Sequence, residues 1–321
     1  MKQFECALFD IDGCLVDIRK SYNTTIKKSV NFVLKILDSK KPLMDYGRTN
    51  LVTNEIILKF RQTGGFNNDM DTSYAICLAE LAEPHQRTAD ARNFLCQVAL
   101  NSDEYGIATV EKYLATLTST EVIKDLKTRL GYPAPAGKSI ITTVFDELFY
   151  GPNLFKKLHN LEPKYYSGKP LIENDKLVIT KATLNSLARI FNGNLAAVSG
   201  RSRIAAEFSL KEIVDGLKPN CSVFLEDQPR DYAKPNPYAL IEAMKNMDAK
   251  TALYAGDAYE DLIMVRRAEK KTDLKIAFCG VYGCSSRPLE TKAQLIKNGA
   301  DYIIRDVNEL PDMLNNISIE K

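Results

Sequence analysis

Four short stretches of this chain carry residue types suited to polar chemistry. Phe9-Asp10-Ile11-Asp12-Gly13 sets two carboxylates two residues apart, ahead of a glycine. Val198-Ser199-Gly200 offers a hydroxyl in a turn, Ala233-Lys234-Pro235-Asn236-Pro237 holds an amine, and Ala255-Gly256-Asp257 is followed by Asp261. Carboxylates can act as nucleophiles, as proton donors and acceptors, and as oxygen ligands for a hard cation such as magnesium. Histidine chemistry has little to build on, since His85 and His159 are the only two, and Cys279 with Cys284 is a lone pair that argues against structural zinc.

Taken singly, each stretch has a plain explanation. Asp10 and Asp12 could belong to a calcium loop, although the later ligands of an EF-hand are missing after Asp12. Ser199 could be a turn residue and Lys234 a solvated surface lysine, while Asp257 and Asp261 could start a helix and complement its dipole. Their positions make the difference. Apolar runs at Phe4–Phe9, Leu195–Val198, Cys221–Leu225, Thr251–Ala255, Lys275–Phe278 and Tyr302–Ile304 read as buried strands. Helical patterns lie between the later runs; Leu184, Leu187, Ala188 and Phe191 share a face, and Gly193 follows as a stop. Asn236 can cap and Pro237 start another helix. Alternating strands and helices predict an α/β fold with a Rossmann-like parallel sheet, in which ligands bind beyond the carboxyl ends of the strands. Most of the polar residues stand there.

The ordered set of an Asp-x-Asp-Gly motif, a Ser after the second strand, a Lys, and Gly-Asp-x-x-x-Asp resembles the haloacid dehalogenase superfamily. The resemblance covers residues 1–17 and 176–321 as the catalytic core. The stretch between them, residues 18–175, reads mostly as amphipathic helices and is similar to that superfamily's inserted helical cap of the first type. Ile26, Val30, Val33, Leu34 and Leu37 share one helical face, and Ile56 with Phe60, then Tyr74 with Leu78 and Leu81, suggest further helices. Cys14 departs from the family pattern, in which Thr or Val commonly follows the motif glycine, and reads as a small buried side chain.

The resemblance implies a magnesium-dependent phosphatase acting on a small phosphorylated metabolite through an aspartyl-phosphate intermediate. Asp10 would be the nucleophile, and Asp12 would protonate the leaving oxygen and then activate water. Magnesium would be held by the Asp10 carboxylate, the Asp12 backbone carbonyl and Asp257, with Asp261 in support. Lys234 would neutralise Asp10 and the phosphoryl oxygens, which Ser199 and backbone N–H groups such as that of Gly200 would orient. Arg201 could touch an anionic substrate, whereas Arg203 is expected in solvent. Asp12 separates this reading from dehalogenation, which needs no acid there. A hexose-phosphate mutase stays open as an alternative, as do a phosphonatase using Lys20 and a non-catalytic binding or regulatory protein.

Within the insertion, Gly64-Gly65-Phe66-Asn67-Asn68-Asp69-Met70-Asp71 joins two predicted helices. It reads as a helix connection with Gly64 as stop and Asp71 as cap, as a specificity loop presenting Phe66, Asn67 and Asn68, or as both. The bulk properties fit such a protein. Of 321 residues 45% are hydrophobic and 26% charged, enough for a sizeable core, and a net charge of only +2 gives no broad footprint for nucleic acid or an anionic membrane. The first residues lack the apolar core of a secretory signal, and no apolar run is long enough to span a bilayer. Seven scattered cysteines suit a reducing cytoplasm better than a disulfide framework.

Overall fold

The protein's structure, a computed structural model, describes residues 4–37, 51–66, 68–83 and 87–319. Its strands in chain order are β1 (Cys6–Phe9), β2 (Val16–Asp17), β3 (Lys176–Leu177), β4 (Leu195–Ser199), β5 (Val223–Phe224), β6 (Thr251–Gly256), β7 (Lys275–Val281) and β8 (Tyr302–Ile304). Six of them form one parallel sheet in the order β5-β4-β1-β6-β7-β8, and β2 pairs with β3 in a separate antiparallel ribbon. The six apolar runs are therefore all strands of one sheet. Their continuous apolar character follows from burial on both faces, which parallel sheets require. β7 runs on to Val281, past the expected end, because Cys279, Gly280 and Val281 remain buried. A Cβ at Gly280 would lie 2.9 Å from Leu295 Cδ1 and 3.0 Å from Ile303 Cδ1, so the tips of these two side chains would have to shift to admit one.

Chain contacts divide the protein into two compact units, one formed by Met1–Arg19 with Asp175–Lys321 and the other by Lys20–Asn174. In the sheet unit, alternate residues of each strand face one core. Cys6 and Leu8, Ala196 and Val198, Ala252 and Tyr254, and Ile276 and Phe278 cluster with the buried faces of two helices, Tyr238–Asn246 and Tyr259–Lys271. Central β1 matters most for function. Phe9 is in register with Ala197 of β4 on one side and with Ala255 of β6 on the other, so the residues after all three strands emerge together.

The second unit is helical: α1 (Tyr22–Leu37), α2 (Asn54–Arg61), α3 (Asp69–Ala82), α4 (Thr88–Leu100), α5 (Ile107–Leu117), α6 (Thr120–Leu130) and α7 (Ile140–His159), the last broken at Gly151-Pro152. The face of α1 bearing Ile26, Val30, Val33 and Leu34 is buried, and α1 packs on α3 and α7. α3 is buried on nearly every side from Asp71 to Glu80, which marks it as the centre of this unit. Among the described residues no helix is long and apolar enough to cross a membrane. All seven cysteines are free thiols, and Cys14 is buried with its Sγ 3.5 Å from the Ala255 carbonyl oxygen.

The connection between α2 and α3 differs from its expected form. Asn68, not Asp71, caps α3, its side chain accepting from the Met70 N–H at 2.9 Å. Asp71 lies inside the first turn, where its Oδ1 accepts from the Tyr132 hydroxyl at 2.5 Å. Gly65 is required by close approach, since a Cβ would sit 2.4 Å from the Asp103 carbonyl oxygen.

Candidate active site

Asp10 follows β1 directly, and its N–H donates to the Ala255 carbonyl of β6 at 2.8 Å, fixing its backbone to the neighbouring strand. The side chain is almost wholly buried beside Lys234. The Lys234 ammonium donates to Asp10 Oδ1 at 2.7 Å and to the Tyr254 hydroxyl oxygen at 2.9 Å, and lies 2.7 Å from Asp261 Oδ1. An ammonium has three hydrogens, and these three partners match that number. Tyr254 in turn lies 3.0 Å from Asp261 Oδ1 and 3.1 Å from the Val198 carbonyl oxygen. The other Asp261 oxygen accepts from the Ala258 N–H at 3.2 Å at the start of the helix Tyr259–Lys271.

Burial pushes the Asp10 carboxyl up to about 7, against the pull of Lys234, with Asp261 and Asp12 adding to the rise. For Lys234 burial acts downward, yet the Asp10 and Asp261 carboxylates outweigh it and hold the ammonium well above its ordinary value. Such a site favours added positive charge. One carboxylate oxygen each from Asp10, Asp257 and Asp261 lie within 4.8 Å of one another. An all-oxygen donor set of this compactness fits a hard divalent cation such as magnesium. Both Asp261 oxygens also have partners within the protein, Oδ1 with Lys234 and Tyr254 and Oδ2 with the Ala258 N–H.

The remaining expected residues fall into two groups. Ser199 ends β4 fully buried, its Oγ accepting from the Arg201 N–H at 3.3 Å, and Gly200 beside it is exposed with open space where a Cβ would be. Asp12 is partly exposed and ion-paired through Oδ1 with Arg201 Nε at 2.5 Å. Arg201 thus differs from the substrate contact expected of it: its guanidinium is completely buried and also reaches Asp175 Oδ2 at 2.8 Å and Ser209 Oγ at 2.7 Å. Arg203 is exposed, as anticipated, with its guanidinium over the Phe224 ring.

Phe66 and Asn68 belong to the helical unit, and Asn67 lies outside the described residues, as does His85. The Phe66 ring is fully buried, edge-on to Phe60 with centroids 5.0 Å apart. The Phe66 side chain is thus packed inside the helix connection, which corrects the expectation that it is presented to a ligand, whereas Asn68 is exposed with its Oδ1 engaged in the cap.

Tyr254, Asp175 and Ser209 were not singled out in the sequence. Tyr254 alone carried a signal: a tyrosine inside an apolar strand needs a partner for its hydroxyl. Glu226 and Asp227, which accept from the N–H groups of Ser202 and Arg203 ahead of the helix Arg203–Leu210, likewise follow a strand, β5.

No protein-family model and no curated protein sequence matches the chain. Solved structures do. A structural-genomics target matches with a TM-score of 0.62 at 15% identity, over 99% of this chain and 100% of that one. The phosphatase Tt82 from Thermococcus thioreducens matches with a TM-score of 0.57 at 20% identity, over 96% and 98%. A haloacid dehalogenase-like hydrolase from Bacteroides fragilis matches with a TM-score of 0.50 at 16% identity, over 96% and 99%. The chain has the haloacid dehalogenase fold. In the haloacid dehalogenase fold of this chain, then, the carboxyl ends of β1, β4 and β6 bring Asp10, Ser199 and Asp257 to one edge of the sheet.

Proposed function

We propose that this protein is a magnesium-dependent phosphatase that hydrolyses the phosphate monoester of a small metabolite, with Asp10 as nucleophile. The observation that carries this reading is the Asp10 carboxylate held 2.7 Å from the Lys234 ammonium within a cluster of three aspartates at the end of the central strand. Asp10 and Asp257, with the Asp12 backbone carbonyl, would hold the cation. Magnesium, when bound, supplies positive charge that keeps Asp10 ionised and offsets its repulsion from the phosphate.

The chain's own groups account for the remaining steps. An Asp10 oxygen forms a bond to phosphorus while the bond from phosphorus to the ester oxygen breaks, giving an aspartyl phosphate. The Asp12 carboxyl gives its proton to the departing oxygen, then takes one from water as that water's oxygen bonds to phosphorus. Inorganic phosphate leaves and the Asp10 carboxylate is restored. Lys234 offsets charge on Asp10, and Ser199 with the Gly200 N–H would orient the phosphoryl oxygens.

Phosphate release from a panel of phosphorylated metabolites, measured with magnesium and again in chelator, tests the proposal. The expected result is magnesium-dependent release by the wild type and none by Asp10→Asn. Isomerisation of a sugar phosphate without net release would indicate a mutase, and metabolite binding without any turnover a binding protein; either overturns the phosphatase reading.

A further inference from the structure

Arg201 lies at the hub of a buried polar cluster that the proposed chemistry has not yet used. The cluster draws on three separate segments. Asp12 comes from the turn after β1, Asp175 directly precedes β3, and Ser209 lies near the end of the helix Arg203–Leu210. Arg201 Nε–H donates to Asp12 Oδ1 at 2.5 Å, and Nη1 donates to both Asp175 Oδ2 at 2.8 Å and Ser209 Oγ at 2.7 Å. The Ser209 hydroxyl passes its own hydrogen on to Asp175 Oδ2 at 2.6 Å, closing a three-membered ring of contacts behind the guanidinium. Side-chain exposure is zero for Arg201 and 4% for Asp175 but 25% for Asp12. Of the charged groups in the cluster, only the proposed acid is substantially open to a ligand.

That gradient of exposure has a mechanical meaning. A guanidinium is planar, and one gripped along two edges by charge-assisted hydrogen bonds cannot turn without breaking them. Asp12, by contrast, sits in a turn, and the next residue, Gly13, has φ +75°. A half-open aspartate there would sample several rotamers without a tether. Proton transfer to a leaving oxygen requires heavy-atom separations within hydrogen-bond reach, and small misplacements are costly.

We propose that Arg201 is a positioning residue for Asp12, aiming its carboxyl at the leaving group, and that Asp175 and Ser209 fix Arg201 from behind. This rests on the phosphatase reading above. Arg201 touches neither the phosphoryl group nor the leaving group. Its influence passes through the direction of one Asp12 oxygen, so it should matter only where protonation of the leaving oxygen matters.

The test compares kcat/KM for two substrates, p-nitrophenyl phosphate, whose leaving group departs without a proton, and the best alkyl phosphate from the metabolite panel. Because kcat/KM stops at formation of the aspartyl phosphate, the later hydrolysis step does not enter. Arg201→Met should lose about 100-fold on the alkyl ester and less than about 5-fold on the aryl ester. Ser209→Ala, which keeps the arginine, should show the same selectivity at about 5-fold on the alkyl ester. Should Arg201→Met fail to fold, Ser209→Ala and Asp175→Asn carry the comparison. Asp12→Asn serves as the reference for an absent acid. Equal losses on both esters for the Arg201 and Ser209 variants, with Asp12→Asn still selective, would overturn the positioning role alone. An inactive wild type would instead remove the phosphatase reading, and this inference with it.

Discussion

Gly13 and Asp257 approach so closely that a Cβ added to Gly13 would lie 2.0 Å from Asp257 Oδ2. The glycine also holds φ +75°, where a side chain is strained whatever the space around it. Asp257 is in the proposed cation set, so the substitution Gly13→Ala strikes both the turn and the metal. Stability should fall by about 1–3 kcal/mol, and the magnesium concentration needed for half-maximal activity should rise at least tenfold, by rough reckoning. Magnesium titrations of phosphate release, run beside urea unfolding, measure the two effects. An unchanged magnesium requirement would remove Asp257 from the cation set.

Lys234 separates two buried carboxylates, and removing it leaves both uncompensated. Lys234→Met should destabilise the protein by about 3–5 kcal/mol, the range for breaking a buried ion pair from one side. Adding Asp10→Asn to that variant should recover part of the loss, because one of the stranded charges disappears. Urea unfolding of the two single variants and the double variant gives the coupling directly. Strict additivity would mean that Lys234 and Asp10 do not interact in the folded protein.

The Phe66 ring packs on Phe60, so Phe66→Ala should cost about 3–5 kcal/mol of stability. Asn68→Ala should cost about 1 kcal/mol through the lost cap on α3. Neither should change the ranking of substrates in the metabolite panel. A selective loss of one metabolite, with thermal stability intact, would restore the specificity-loop reading.

Acid-range stability should carry the mark of Asp146 in α7. Burial pushes this carboxyl above the ordinary aspartate range, opposed by His159, whose Nε2 is 2.9 Å away, and aided by Glu147. A raised folded pKa has a fixed sign in linkage. Stability from this group is complete below the unfolded pKa of about 4 and is lost as pH rises through the folded value, because the unfolded chain releases its proton first. Asp146→Asn should flatten that part of the profile. Unfolding free energies measured from about pH 4 upward for both proteins test this, and superimposable slopes would reject it.

Much of the sheet could be read from the chain because a strand covered on both faces must be apolar throughout. Thr251 to Ala255 and Tyr302 to Ile304 stand out for that reason. Residues just past such runs, Asp10 and Asp257 among them, are then placed at the carboxyl edge by the parallel arrangement alone. The ribbon of β2 and β3 was invisible, since two residues per strand carry no periodicity. Arg201 shows a different limit. A position two residues after Ser199 identifies it, but its orientation is decided by Asp175 and Ser209, which reach it only through the folded packing. The burial of Phe66 was not legible because exposure of a loop aromatic depends on what packs beneath it, here Phe60, and no local pattern records that.

The β2 and β3 ribbon also bears on how this architecture tolerates change. Asp17 and Lys176 face each other across it, so residues 18–175 begin and end one strand spacing apart. The entropic penalty of closing a chain excursion grows only with the logarithm of its length, which makes an excursion of this size little costlier to the sheet than a much shorter one. The segment thus leaves and re-enters the chain of the sheet unit at neighbouring strands. It could be lengthened, trimmed or exchanged for an unrelated domain with closely spaced ends, while the hydrogen-bond register joining Val16 to Leu177 and Asp17 to Lys176 stays as it is.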